Sequence, residues 1–323
     1  MADHLRWGIL GGSNFAATLM GPAIHAAKGA SLAGLATSSK EKAARFTEFA
    51  PECEVFKDYD DLLASPKIDA VYIPLPNHLH IEWSLKAIAA GKHVLCEKPL
   101  ALEATQFDAL IAARDTSGLL VAEAYMIVHH PQFVRARELV QSGAIGKLRH
   151  VDTVFTYFND DQGNIRNQAG SGGGGLPDIG VYTFGAARFV TGQEPQSIPF
   201  AKIDFENGVD TFVQMAADFP GFRYSAVVSM RAFPRQEITF HGEKGVLRLT
   251  CPFNPNVHDF AELHLETAGK TTTVERFPGI DHYVLQVEAF GTSVRDGNPY
   301  AAPLEFSKGT QAMIDMTYAA AKG

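Results

Sequence analysis

Through the first 124 residues, short apolar runs alternate with segments of helical period, the pattern of a parallel sheet covered by helices. The runs Arg6–Leu10, Leu32–Ala36, Val55–Phe56, Ala70–Ile73, His93–Cys96 and Leu120–Ala124 predict strands. Phe15–Ala27, Lys40–Phe49, Ile81–Ala89 and Glu103–Ser117 predict the helices between them. Six parallel strands with connections this short predict a dinucleotide-binding sheet, with its ligand at the carboxyl ends of the strands. Beyond Ala124 the texture changes. A helix over Gln132–Gln141 stops at Gly143, and two-residue alternation then predicts strands at Arg149–Phe158, Thr211–Phe219, Arg223–Ser229, Glu237–His241, Val246–Leu249, Leu263–Thr267 and Thr272–Phe277. Turns such as Phe219-Pro220-Gly221 make that sheet antiparallel, and helices over Tyr283–Asp296 and Ser307–Ala321 follow it. The expected fold is an α/β Rossmann domain, a doubly wound parallel sheet over residues 1–124. An α+β domain with a large, mostly antiparallel sheet is expected over 125–323.

Composition narrows the function classes. A chain of 323 residues fits two domains. Its net charge of −8, without a concentrated basic stretch, argues against a nucleic-acid partner. No apolar stretch approaches the ~18–20 residues of a membrane span, so no membrane partner is expected. The run Met1-Ala2-Asp3-His4-Leu5-Arg6 leads directly into a strand without the pattern of a secretion signal. Cys53, Cys96 and Cys251 are odd in number and far apart, which fits reduced thiols and a cytoplasmic location.

Candidate chemistry falls at the strand ends. The turn Gly8-Ile9-Leu10-Gly11-Gly12-Ser13-Asn14-Phe15-Ala16 links the first strand to the first helix, where backbone N–H groups and the positive helix end suit a pyrophosphate. Ser13 stands where a second glycine is usual, so a purely structural turn is the competing reading. The second strand leads into Thr37-Ser38-Ser39-Lys40 with no acid before Glu41. Hydroxyls and a lysine suit the 2′-phosphate of NADP, whereas NAD enzymes place a carboxylate there. A helix cap by Ser38 or Ser39 is the alternative. Pro74, Leu75, Asn77 and His80 follow the fourth strand at the same edge, with Asn77 placed to cap a helix. His78 and His80 are two apart, do not share a helix face, and predict no metal. Glu97 and Lys98 end the fifth strand, with the lysine placed for chemistry beside a cofactor or paired with Glu97. Pro177 opens a further helix on which Asp178 and Tyr182, four apart, share a face. The glycines before it, Gly170 to Gly175, would let the backbone approach a ligand.

Taken in order, the Rossmann turn, Glu97-Lys98-Pro99, Glu123-Ala124-Tyr125-Met126 with His130-Pro131, and the Gly-rich Asp178-x-x-x-Tyr182 resemble the glucose–fructose oxidoreductase / inositol dehydrogenase (Gfo/Idh/MocA) family. Tyrosine at 182, with Asn164-Ile165-Arg166, is similar to the branch of dimeric dihydrodiol dehydrogenase and NADP-linked xylose dehydrogenase. The resemblance implies an NAD(P)-dependent enzyme, NADP preferred over NAD, that moves hydride between the nicotinamide and a sugar, polyol or dihydrodiol hydroxyl. Lys98 would touch the nicotinamide ribose and the substrate, Tyr182 would exchange the proton, and Asp178 would hold the sugar, in a pocket between the domains. Arg166, His282 and Tyr283 are weaker candidates for cofactor or substrate contacts. It also implies a cis Lys98–Pro99 peptide and a homodimer joined through the second sheet. A nearby Lys98 ammonium would lower a phenol pKa otherwise near 10, which is too high for an efficient base at neutral pH. Two other readings stay open: a glycosidase-type enzyme that recycles its cofactor, and a non-catalytic dinucleotide-binding regulator, for which a proton-transfer pair would have no use.

Overall fold

A computed structural model describes residues 4–322, so the reading of Met1-Ala2-Asp3 lies outside the described residues. Two compact units form. The first comprises Met1–His129 with Asp281–Lys308, and the second His130–Ile280 with Gly309–Gly323.

The first unit is built on a parallel sheet of β1 (Leu5–Leu10), β2 (Ala30–Ala36), β3 (Glu54–Phe56), β4 (Ala70–Ile73), β5 (His93–Glu97) and β6 (Val121–Ala124). Their spatial order, β3-β2-β1-β4-β5-β6, is that of a dinucleotide-binding sheet, and all six strands were legible from their apolar runs. Between them run α1 (Gly21–Ala26), α2 (Lys40–Thr47), α3 (Tyr59–Ala64), α4 (His80–Ala89) and α5 (Phe107–Ser117). The first predicted helix is divided, because a π-helical turn over Ala16–Met20 precedes α1. The six-residue α3, capped by Asp58, was not predicted.

In the second unit, α6 (Pro131–Gln141) and α7 (Val181–Thr191) pack on one face of an eight-stranded sheet. Its strands are β7 (Leu148–Phe158), β8 (Ser197–Glu206), β9 (Val209–Phe219), β10 (Phe222–Ser229), β11 (Arg231–Gly242), β12 (Gly245–Thr250), β13 (Glu262–Thr267) and β14 (Thr271–Arg276). The order is β14-β13-β12-β11-β7-β10-β9-β8, with only the β7–β10 pair parallel. The edge strand β8 was missed by the sequence reading, since most of its residues stay exposed and give no clean apolar alternation.

Two helices complete the chain, α8 (His282–Asp296) and α9 (Leu304–Ala320). The units do not divide by a single cut at Ala124, because α8 packs in the first of them. Phe290 of α8 meets Trp7 of β1 with ring centroids 5.0 Å apart, both side chains fully buried.

His130 gives the second unit an acid-sensitive point. Its Nδ1 accepts the Gln132 N–H at 3.1 Å and caps α6, so the ring must be neutral there. Burial pushes its pKa down to about 4 from the ordinary 6.5. The unfolded chain therefore takes up this proton before the native one. Stability is full above the unfolded value and falls by about 1.4 kcal/mol per pH unit as pH drops from 6.5 towards 4. His130→Asn keeps a capping acceptor and removes the titration. Urea midpoints of that variant should depend less steeply on pH in this window; an unchanged slope would refute the assignment.

Candidate cofactor and substrate sites

At the carboxyl ends of β1, β2 and β4 lies a cavity of about 370 Å³, within the first unit. Gly11, Gly12 and Ser13 line it from the first turn, Thr37, Ser38 and Ser39 from the second, and Pro74, Leu75 and Pro76 from the fourth. Gly11 has φ +99°, and a Cβ there would come within 3.1 Å of Leu75 and 3.3 Å of the Tyr59 hydroxyl. The turn thus has to be bare for these walls to close around it. Ser13 fills the place of the missing glycine usefully, its Oγ accepting the Ala16 N–H at 3.0 Å at the helix start.

The remaining expected cofactor residues occupy different surroundings. Asn14 Oδ1 accepts from Arg45 Nη2 at 2.9 Å, and the Phe15 ring lies edge-on to Tyr283, 5.6 Å away. Ser39 caps α2 by accepting the Lys42 N–H at 3.2 Å, so the capping reading holds for it. Lys40, Asn77 and Glu97 do not line the cavity; Lys42, Lys57, Asp58 and Tyr59, none of them a cofactor candidate from sequence, do. His80 is fully buried, its Nδ1 lying 2.8 Å from the Pro99 carbonyl oxygen and its Nε2 2.7 Å from that of Leu75. Both ring nitrogens are thereby taken by backbone, which leaves none for a metal shared with His78.

Further along the same edge, the Lys98–Pro99 peptide is cis, as the resemblance implied. Glu97 anchors the residue beside it: Oε1 accepts the Tyr72 hydroxyl at 2.5 Å and Oε2 the Lys98 N–H at 3.2 Å. Burial raises the pKa of Glu97, opposed by the Tyr72 hydrogen bond and the Lys98 charge. Buried Glu123 accepts the Leu100 N–H at 2.8 Å, tying β6 to the segment that follows the cis proline.

The second unit presents a distinct polar cluster. Asp178, with its side chain 12% exposed, accepts the Tyr157 hydroxyl at 2.7 Å and pairs with Arg166 Nε at 2.9 Å, both through Oδ2. Burial and the adjacent carboxylate raise the Tyr157 pKa, keeping it a phenol that donates. Asp178 lies in a π-helical turn, Leu176–Gly180, before α7 carries Tyr182. The shared face expected from α-helical spacing therefore does not apply unaltered, since i→i+5 bonding widens the turn. Tyr182 is buried, its ring centroid 5.9 Å from that of Phe155 and 6.0 Å from that of Phe253.

The Gly-rich stretch serves the chain itself rather than an open approach to ligand. A Cβ on Gly173 would fall 2.6 Å from the Ile165 carbonyl oxygen and 2.5 Å from that of Arg166. A Cβ on Gly174, at φ +135°, would fall on the Asp210 carboxylate. Buried Asp210 accepts the Leu176 N–H and the Tyr318 hydroxyl, each at 2.7 Å, and so fixes the turn that carries Asp178. Neither Tyr157 nor Asp210 was singled out from sequence. For Tyr157 the available signal was a polar group in an otherwise inward-facing row, after Val151, Thr153 and Phe155; Asp210 lies in the other row of β9, whose later members are partly exposed, and gave no such signal.

A parallel sheet in this order, with a bare turn over a cavity at its carboxyl edge, defines a dinucleotide-binding protein. Residues 5–125 match the model of the GFO/IDH/MocA oxidoreductase family with an NAD-binding Rossmann fold, and residues 133–248 match the GFO/IDH/MocA C-terminal domain. The chain belongs to this oxidoreductase family. It is 38% identical to an uncharacterized oxidoreductase of Rhizobium meliloti, covering 97% of this chain and 96% of that protein. It is 31% identical to D-xylose 1-dehydrogenase (NADP(+)) 2 of Haloferax volcanii, covering 98% of each. Among solved structures, a 3-ketoreductase from Actinomadura kijaniata, in complex with NADP and TDP-benzene, superposes with a TM-score of 0.89. That match has 30% identity and covers 98% of each chain. Among the described residues no helix is long and apolar enough to cross a membrane.

Proposed function

We propose that this chain is an NADP(H)-dependent oxidoreductase moving hydride between the nicotinamide and a hydroxyl or carbonyl carbon of a sugar, polyol or dihydrodiol, with Lys98 and Tyr182 in the proton transfer. The observation that carries the catalytic reading is Asp178, shielded from solvent and held through one oxygen by Tyr157 and Arg166, in the turn before Tyr182. A carboxylate so fixed can accept a hydrogen bond from a substrate hydroxyl. The cofactor half rests on the cavity, in which Thr37, Ser38 and Ser39 stand where an NAD enzyme would place an acid. Pro74, Leu75, Pro76 and Tyr59 give it apolar walls suited to an adenosine. The xylose dehydrogenase and the ketoreductase, both connected with NADP by name or complex, support the same cofactor and a sugar-like substrate.

When bound, the nicotinamide supplies or accepts the hydride, and the protein has to orient the carbon and move one proton. Glu97, bonded to the Lys98 N–H, fixes the backbone from which Lys98 acts. A screen of aldoses, ketoses and cyclic polyols with both nucleotides, read by nicotinamide absorbance, tests the proposal. A cofactor that survives dialysis, with turnover but no net absorbance change, would favour the recycling enzyme instead.

Assembly through the second sheet is proposed on its outward row. In register across the strands stand Phe200, Ala216, Ser225, Asp152, Thr239, Arg248, His264 and Val274, on the face opposite the helices. Phe200 is 47% exposed and Val274 38%, so the row is apolar at both edges. A homodimer should sediment as such at micromolar concentration; a monomer at every concentration tested would remove it.

A further inference from the structure

We propose that Asp210 and Tyr318 are positioning residues for the substrate. Through Gly174 and Leu176 they set the Asp178 carboxylate and its Arg166 partner, which brings the last helix, α9, into substrate recognition. The inference rests on the reading above, in which Asp178 accepts a substrate hydroxyl, and adds what holds that carboxylate in place. All of these residues lie in the second unit.

Asp210 stands at the start of β9 and is 1% exposed. A carboxylate taken out of water is costly unless donors surround it. Here each oxygen has one: Oδ1 accepts the Tyr318 hydroxyl and Oδ2 the Leu176 N–H, both at 2.7 Å. Burial raises the Asp210 pKa, and these two bonds oppose it. Burial and the facing carboxylate raise that of Tyr318 too, so its hydroxyl stays protonated and donates. The π-helical turn Leu176–Gly180 opens at Gly175, which has no side chain to cap it. Asp210 takes that place from another strand, accepting the first N–H of the turn.

Gly174 carries the constraint onwards. It lies against the Asp210 carboxylate at φ +135°, where no Cβ would fit. Its N–H donates to the Arg166 carbonyl at 3.0 Å, and its own carbonyl accepts the Asp178 N–H at 3.1 Å. One residue thus joins the backbones of both members of the ion pair, whose Nε and Oδ2 are 2.9 Å apart. Tyr318 reaches this point from 108 residues beyond Asp210. Remove its hydroxyl and the Asp210 carboxylate is free to turn, and Gly174 and Leu176 follow it. Misplacing a binding group by ~1 Å can cost about 100-fold in rate.

The test combines kinetics on the best substrate of the screen with crystal structures of the whole protein. Tyr318→Phe keeps the ring and removes the donor. It should lower kcat/KM about 10-fold, chiefly through a raised KM, with NADPH affinity within about twofold of wild type. Asp210→Ala should cost about 100-fold. Asp210→Asn keeps an acceptor for the Leu176 N–H and an amide for the Tyr318 oxygen, so it should recover most of that loss and also serves if the alanine variant does not fold. Asp178→Asn should itself lower kcat/KM, and adding Tyr318→Phe to it should cost less than about twofold more, because the path ends at this carboxylate. A bond that only stabilises the fold would lower the thermal midpoint and leave kcat/KM unchanged, or weaken both backgrounds equally; either result overturns the proposal. In the Tyr318→Phe crystal structure the Asp178 carboxylate should be displaced from Arg166, and an unmoved carboxylate overturns the positioning role. Wild-type kinetics in Asp178→Asn would instead overturn the reading of Asp178 on which the proposal rests.

Discussion

Tyr182→Phe should lower kcat by about 10²–10⁴-fold on the best substrate found, with NADPH affinity near wild type, because general acid–base catalysis is typically worth that much. The substitution removes one hydroxyl and keeps the ring. The packing of Tyr182 on Phe155 and Phe253 involves the ring, so the aromatic cluster should survive and the thermal midpoint should hardly move. The competing role is purely one of packing on a buried helix, and α7 is buried along most of its length. Steady-state kinetics separates the two. A phenylalanine enzyme with kcat within about threefold of wild type would end the proton-transfer role, since the effect assumed is far larger.

Lys98→Met should cost about 10²–10³-fold in kcat, the usual loss when a preorganised donor to a developing oxyanion is removed. Methionine keeps much of the length of the side chain and discards the charge. The Lys98 N–H bond to Glu97 belongs to the backbone and remains, so the segment should hold its place. Any residual alcohol oxidation should rise towards higher pH than in wild type, as expected for a phenol that has lost its cationic neighbour. Rates across pH, with KM for each nucleotide, check this. A variant with wild-type kcat and only a raised KM would show that Lys98 contributes uniform binding and no proton chemistry.

Much of the first unit was legible because each of its strands is a compact apolar run. β4, Ala70–Ile73, is buried at every position, and its sequence needs no partner to announce that. The turn after β1 and the segment Glu97-Lys98-Pro99 with its cis peptide could be located from a few consecutive residues. The limits appear where an element is short or lacks a buried face. The helix Tyr59–Ala64 spans six residues, too few for a period to emerge, and β8 leaves most of its side chains in solvent.

By itself, the sequence determined the fold class, the strand order's ligand edge, the absence of an acid after β2 and the identity of the candidate proton carriers. These follow from periodicity and from residue chemistry within a few positions. Only the tertiary structure decided which groups meet. Asp178 finds Tyr157 and Arg166 from separate segments. Asp210 reaches into the Gly-rich turn from a strand 34 residues away from Leu176. α8 joins the first unit, although the second sheet precedes it in the chain. The physical reason is common to the two carboxylates. Burial periodicity reports that a residue faces inward, but hydrogen-bond partners for an inward polar group are set by sheet register and helix placement. Those depend on contacts far apart in the chain, which no local pattern encodes.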